Sequence, residues 1–212
     1  MFVELIEALR CPRAHEEAQL VASATRTESR HIVDGVLGCP VCGAEFTIRS
    51  GVARFGDPVR QAVHDEPDAE TAMRLAAFLG LTEVRGFTLL CGRWATQADG
   101  IRRLADAHLV LVNPPPEVPP DIASGVITTR DAMPFASGAA GAAALDDNAS
   151  TDLVRATIRA VRGGGRVLGP VSLAVPGDVT ELVRDERMWV AEKNAAPESP
   201  APRLVSIRKA SR

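Results

Sequence analysis

The sequence contains no tyrosine and only 4% aromatic residues, so it has little with which to stack nucleic-acid bases. It also lacks a surplus of positive charge. With 24 Lys and Arg against 27 Asp and Glu, its net charge of −3 gives no general attraction to nucleic acid, and a nucleic-acid partner is disfavoured. Arginines do cluster in sequence at Arg102, Arg103, Arg155, Arg159, Arg162 and Arg166, but on helical stretches they read as solvated faces. No apolar run reaches the length of a membrane span, and MFVELIEALRCP carries acids where a secretory leader carries a basic flank. A cytoplasmic location is the default expectation. Also missing are a Ser-His-Asp set, a phosphate loop and a carboxylate pair in a catalytic context, so catalytic residues are not assigned. What is present, 46% hydrophobic and 24% charged residues in 212, reads as globular: one medium domain, or a small module and a larger one.

Cysteine is scarce, and its spacing is informative. Cys39-Pro40-Val41-Cys42-Gly43 forms a Cys-x-x-Cys turn that aims two thiolates at one point, with Gly43 letting the backbone curl beneath the sulfurs. A tetrahedral zinc site needs two more ligands. Cys11 sits in a matching Cys-Pro turn with His15 four residues on; His31 competes but opens a predicted strand. The expected site is therefore Cys11, His15, Cys39 and Cys42. With all positions filled by protein its role would be structural, stapling a segment too small to fold on its own core. A three-cysteine site completed by water, or a knuckle without metal, stays open. Cys91 lies in an apolar strand and reads as core.

The pattern divides the chain into residues 1–57, a linking helix over 58–80 and an α/β domain over 81–212. The first segment predicts a short helix leading into Cys11 and hairpin strands over Gln19 to Arg26, His31 to Cys39 and Ala44 to Phe55. A helix from Glu66 to Leu79 has Pro67 in its first turn. From Gly86 strands and helices alternate: strand Phe87 to Cys91, helix Thr96 to Ala107, strand His108 to Asn113, then PPPEVPPDIAS, whose prolines exclude a crossover helix. There follow strand Gly125 to Arg130, the small-residue run Gly138 to Asp147, helix Thr151 to Arg162, a tight glycine turn at Gly163 to Gly165 and strand Arg166 to Leu173. Pro176 to Glu186 predicts a short helix, and Met188 to Asn194 and Arg203 to Ala210 a terminal hairpin. This order predicts an α/β fold with a mostly parallel sheet.

LIEALRCP and GVLGCPVCGAEFTIRSGVARF resemble the small zinc-ribbon activator proteins that partner tRNA, rRNA and release-factor methyltransferases. The resemblance covers Val3 to about Phe55. It departs at Ala14, where that family has a second cysteine; His15 is one place further. The rest of the chain is similar to class I S-adenosylmethionine-dependent methyltransferases through DAMPFASGAAGAAALDD, Asp131 to Asp147, and RAVRGGGRVLGP, Arg159 to Pro170. That resemblance implies a Rossmann-like fold with a C-terminal hairpin, S-adenosylmethionine as cofactor and Asp131 as acceptor for the adenine amine. In the activator family the ribbon pairs edge to edge with a methyltransferase sheet. Here the resemblance implies either that Ala44 to Phe55 masks an edge of the second module or that this edge stays free for another protein or a second copy.

The residues at the cofactor loop depart from that family's needs. A cofactor's carboxylate and ribose must approach the backbone closely, yet the turn is Cys91-Gly92-Arg93-Trp94, with one glycine. Asn113 stands where an acid would accept both ribose hydroxyls. Gly92, Arg93, Asn113 and Asp131 are the candidate cofactor contacts, with Arg93 as a partner for the methionine carboxylate. Three readings follow. One is a degenerate, non-catalytic binding or scaffolding subunit with a zinc-ribbon module. The second is an active compact methyltransferase with an unusual cofactor loop, and the third a zinc-ribbon nucleic-acid adaptor.

Overall fold

The computed structural model describes residues 1–58, 66–82, 86–121 and 123–195. Strands β1 (Val21–Glu28), β2 (His31–Gly38), β3 (Glu45–Arg49) and β4 (Val52–Arg54) follow the short helix α1 (Leu5–Ala8). After α2 (Ala69–Leu79) come β5 (Phe87–Cys91), a 3-10 stretch over Gly92–Gln97, α3 (Ala98–Leu104), β6 (His108–Val112), β7 (Ser124–Thr128) and β8 (Ala140–Ala144). Helix α4 (Thr151–Ala160), β9 (Val161–Pro170), β10 (Val179–Arg184) and β11 (Met188–Lys193) complete the described residues. Among them no helix is long and apolar enough to cross a membrane.

Eleven strands form one sheet in the order β1-β2-β3-β4-β7-β6-β5-β8-β9-β11-β10. β7, β6, β5, β8 and β9 are parallel, which requires both faces to be covered. Successive residues of β5 and β6 accordingly point to opposite cores. Leu89 and Val110 join α1 and α4 on one face, while Leu90, Leu109 and Leu111 join α2 and α3 on the other. The strands run outward from β5 to β7 one way and from β8 to β9 the other, so the order reverses between β5 and β8. This is the Rossmann-like α/β architecture that the sequence predicts. At the opposite edge β4 pairs in parallel with β7, Val52 facing Val126 and Arg54 facing Thr128. Of the two arrangements open for Ala44 to Phe55, the chain adopts the one that masks an edge.

Four local expectations are corrected. Pro67 precedes α2 rather than lying in its first turn: Asp68 is the N-cap, its carboxylate accepting from the Thr71 amide at 2.8 Å, and Gly80 closes the helix with φ +65°. The predicted helix Thr96 to Ala107 contains the shorter α3, and the stretch between β5 and α3 is a 3-10 helix over Gly92–Gln97 rather than a loop. Gly163 to Gly165 do not end a helix-strand turn. β9 already pairs at Val161, and the glycines bulge out before pairing resumes at Arg166; a side chain on Gly165 would meet the Gly141 carbonyl at 2.6 Å. The predicted helix over Pro176 to Glu186 contains β10 instead. Ladder bonds to β11 outweigh its local helical character, and Asp185 nucleates the hairpin turn by accepting from the Arg187 and Met188 amides, each at 2.7 Å. The hairpin is thus formed by β10 and β11, and Arg203 to Ala210 lie outside the described residues.

Candidate metal centre and candidate cofactor cleft

Local backbone bonds build the metal cluster. The Cys39 amide donates to Ala44 O at 2.9 Å and the Gly43 amide to Cys39 O at 3.0 Å, closing the knuckle at Gly43 with φ +68°. The Cys11 amide donates to Ala18 O at 2.9 Å, and the neighbouring Arg10 amide to Pro134 O at 2.9 Å, which seats the first arm against the larger unit. The structure brings Cys11, His15, Cys39 and Cys42 together, with their ligand atoms all within 4.8 Å of one another. Zinc bonded at about 2.3 Å to sulfur and about 2.0 Å to nitrogen in a tetrahedron requires S···S near 3.8 Å and S···N near 3.5 Å. The Cys11–Cys42 sulfurs are 3.8 Å apart and Cys39 Sγ lies 3.4 Å from His15 Nε2, so the donor set fits such an ion.

His15 is oriented for this task. A carbonyl can only accept, so Nδ1, 2.5 Å from Glu16 O, carries the proton and Nε2 is left as a lone-pair donor. His31 is elsewhere, with Nδ1 on Ser29 O at 3.0 Å and its ring edge-on to Phe2. For Cys39 burial opposes ionisation, but the amides of Cys42 and Val41 and the thiols of Cys11 and Cys42 overcome it and lower the thiol to about 6. Burial chiefly pushes Cys11 up to about 11. One of the thiols is thus ready as a thiolate ligand near neutral pH.

The second site is the crevice where the strand order reverses, at the carboxyl ends of β5 and β8, the place where open α/β sheets hold ligands. A cleft of about 300 Å3 lies there, its walls including Gly92, Asn113, Thr128, Asp146, Ser150 and, from β4, Arg54. Gly92 and Asn113 therefore reach it, while Arg93 and Asp131 are not among its lining residues. Asp131 accepts from the Ser150 hydroxyl at 2.8 Å. Arg93 turns to the acids after β8, with Nη1 3.2 Å from Asp147 and Nε 3.7 Å from Asp146, and stacks 4.7 Å over Trp94. Asn113 has φ +52°, and its side-chain oxygen accepts from the Thr129 amide at 2.8 Å. The amide that stands in for the ribose-binding acid is thus already engaged in holding the end of β7.

Asp146 is the residue that sequence reasoning missed. It is 7% exposed, and its carboxylate sits directly over Gly92: a Cβ built on that glycine would lie 1.9 Å from Oδ2. Oδ2 accepts from the Arg93 amide at 3.4 Å and Oδ1 from the Asp147 amide at 2.8 Å. Burial raises the carboxyl above its ordinary range, with the two amides and Arg93 opposing. The available signal was a pair of acids, Asp146 and Asp147, closing the small-residue run that begins at Gly138. Trp94 locks the same corner by donating to Leu145 O at 2.8 Å. Cys91 is the buried core residue expected, its thiol pushed up to about 12 by burial and then by Asp146.

No protein-family model matches the chain, and no curated protein matches it either. Solved structures similar to it include a putative O-methyltransferase from Klebsiella pneumoniae, at 13% identity over 63% of this chain and 84% of that one, TM-score 0.42. An RNA methyltransferase from Salinibacter ruber, solved with S-adenosyl-L-homocysteine, matches at 13% identity over 64% of this chain and 98% of that one, TM-score 0.40. A geranyl diphosphate methyltransferase matches at 20% identity and TM-score 0.34, and the chain spans only 43% of its length. With scores this low, the strand order and not the superpositions carries the fold.

Proposed function

We propose that this chain is a non-catalytic protein of methyltransferase fold, built on residues 81–212, with a zinc-stapled ribbon module over residues 1–57, and that it serves as a binding or scaffolding subunit. The observation that carries this reading is the Asp146 carboxylate over Gly92. A nucleoside cofactor with an amino-acid tail needs backbone amides and open space at this turn. Here the protein's own carboxylate stands over the glycine and accepts the Arg93 amide. The supporting features are the spent acceptor of Asn113 and the commitment of Arg93 to Asp146 and Asp147. Zinc held by Cys11, His15, Cys39 and Cys42 would fix the knuckles with no ligand position left for substrate, a structural role. With the β4 edge consumed by β7, a partner or second copy has the outer strand β1 as the ribbon's remaining edge.

The test is calorimetric titration with S-adenosylmethionine and S-adenosyl-L-homocysteine. Silence at millimolar ligand is expected. Micromolar binding of either would sink the non-catalytic reading and favour the compact enzyme.

A further inference from the structure

A second cavity, of about 520 Å3, opens between α2, the 3-10 stretch and the ends of β9 and β11, a volume typical of small-molecule sites. Its floor is apolar, with Leu75, Trp94 and Leu168 buried and Phe78 and Met188 half-buried. Its rim is cationic, carrying Arg74, Arg93 and Arg187. Arg93 is committed to Asp146 and Asp147. Arg74 lies 5.8 Å over the Phe78 ring and forms a loose, half-exposed ion pair with Asp185 at 3.8 Å, for which a bound anion would compete. Arg187 lies near enough to Asp185 to help lower that carboxyl, but unlike Arg10, Arg26, Arg30, Arg102, Arg155 and Arg184 it forms no ion pair among the described residues. Its guanidinium makes no hydrogen bond or ion pair among the described residues, while its backbone is fixed by Asp185 at 2.7 Å.

We propose that this cavity binds a small amphipathic anion with a single charged end, its carboxylate or phosphate head gripped by Arg74 and Arg187 and its apolar body laid over Leu75, Phe78, Trp94 and Met188. Guanidinium forks match both kinds of head bidentately. The floor supplies the apolar burial that a fully charged ligand could not use. Glu66, also on the rim, would repel a second anionic group and so restricts the ligand to one charged end. The site is distinct from the cleft at Gly92 and stands whether or not that cleft binds a nucleoside.

Calorimetry with 1-naphthoate, 1-naphthyl phosphate and uncharged 1-naphthalenemethanol tests the assignment on the whole protein. One anion per chain is expected to bind, with the alcohol weaker by about tenfold or more, and the better of the two anions identifies the head group. Arg74→Ala and Arg187→Ala should each weaken the anion by about tenfold and leave the alcohol unchanged, whereas Arg103→Ala, away from the cavity, should change neither. Failure of both anions to bind, equal binding of anion and alcohol, or wild-type affinity in the two arginine variants would overturn the proposal.

Discussion

Substituting Gly92 by alanine isolates the contact between this glycine and Asp146 at the wall of the cleft. Two penalties are expected. The position has φ +55°, where an L side chain costs about 1–2 kcal/mol. The new methyl would also stand 1.9 Å from Asp146 Oδ2, 2.6 Å from Cγ and 2.8 Å from Cβ, so the carboxylate must leave its place against the Arg93 and Asp147 amides. Overpacking of this kind costs about 1–3 kcal/mol, giving a total of about 2–5 kcal/mol for Gly92→Ala. The two penalties separate in a cycle with Asp146→Gly, which removes every side-chain atom in the clash. In that background only the backbone penalty remains, so the coupling should be about 1–3 kcal/mol. Urea unfolding of the wild type, both single variants and the double variant, followed by circular dichroism, measures it. If the four stabilities add within about 0.5 kcal/mol, Asp146 does not press on Gly92 and the proposed obstruction of the turn fails.

Zinc should be present at one per chain by elemental analysis and absent from Cys39→Ser, and chelation should lower the melting temperature of the wild type but not of that variant. The raised pKa of Asp146 makes the folded state bind its proton more tightly than the unfolded chain does. Its contribution to stability is therefore present below the unfolded value near 4 and lost as pH rises through the folded value; urea midpoints of Asp146→Asn should fall less over that window than those of wild type. Lys193 donates to Ile158 O at 2.6 Å and Arg159 O at 3.3 Å at the end of α4. Those carbonyls keep other donors, the Val161 and Gly138 amides, so Lys193→Met should cost only about 1 kcal/mol by the same denaturation assay.

What could be read from sequence was whatever local chemistry determines. Cys39 and Cys42 with Gly43 between knuckle and strand specify a turn by spacing alone, and Cys11 with His15 follows because a metal needs ligands that a short chain can supply. The alternation of apolar strands with helices likewise placed β5, β6 and α4. The rest depended on partners distant in sequence. Val179 to Arg184 carry a local helical pattern, and pairing with β11 makes them a strand. The glycines at Gly163 to Gly165 look like punctuation until the Gly141 carbonyl is seen beneath them. Asp146 acquires its meaning only from Gly92, more than fifty residues earlier, as its 53-residue separation from Arg93 indicates. Arg93 sits against Asp146 and Asp147, and Asp131 against the Ser150 hydroxyl, contacts between residues that spacing alone does not bring together.

The parallel contact between β4 and β7 has a consequence for exchange. A separate ribbon protein meets its partner sheet by diffusion and can be passed among several of them according to their concentrations. Tethering replaces that competition with a local concentration on the order of millimolar, which dilution cannot lower. The β1–β4 segment of this chain is therefore private to its own sheet. Any other sheet would have to displace an intramolecular strand to pair with β4.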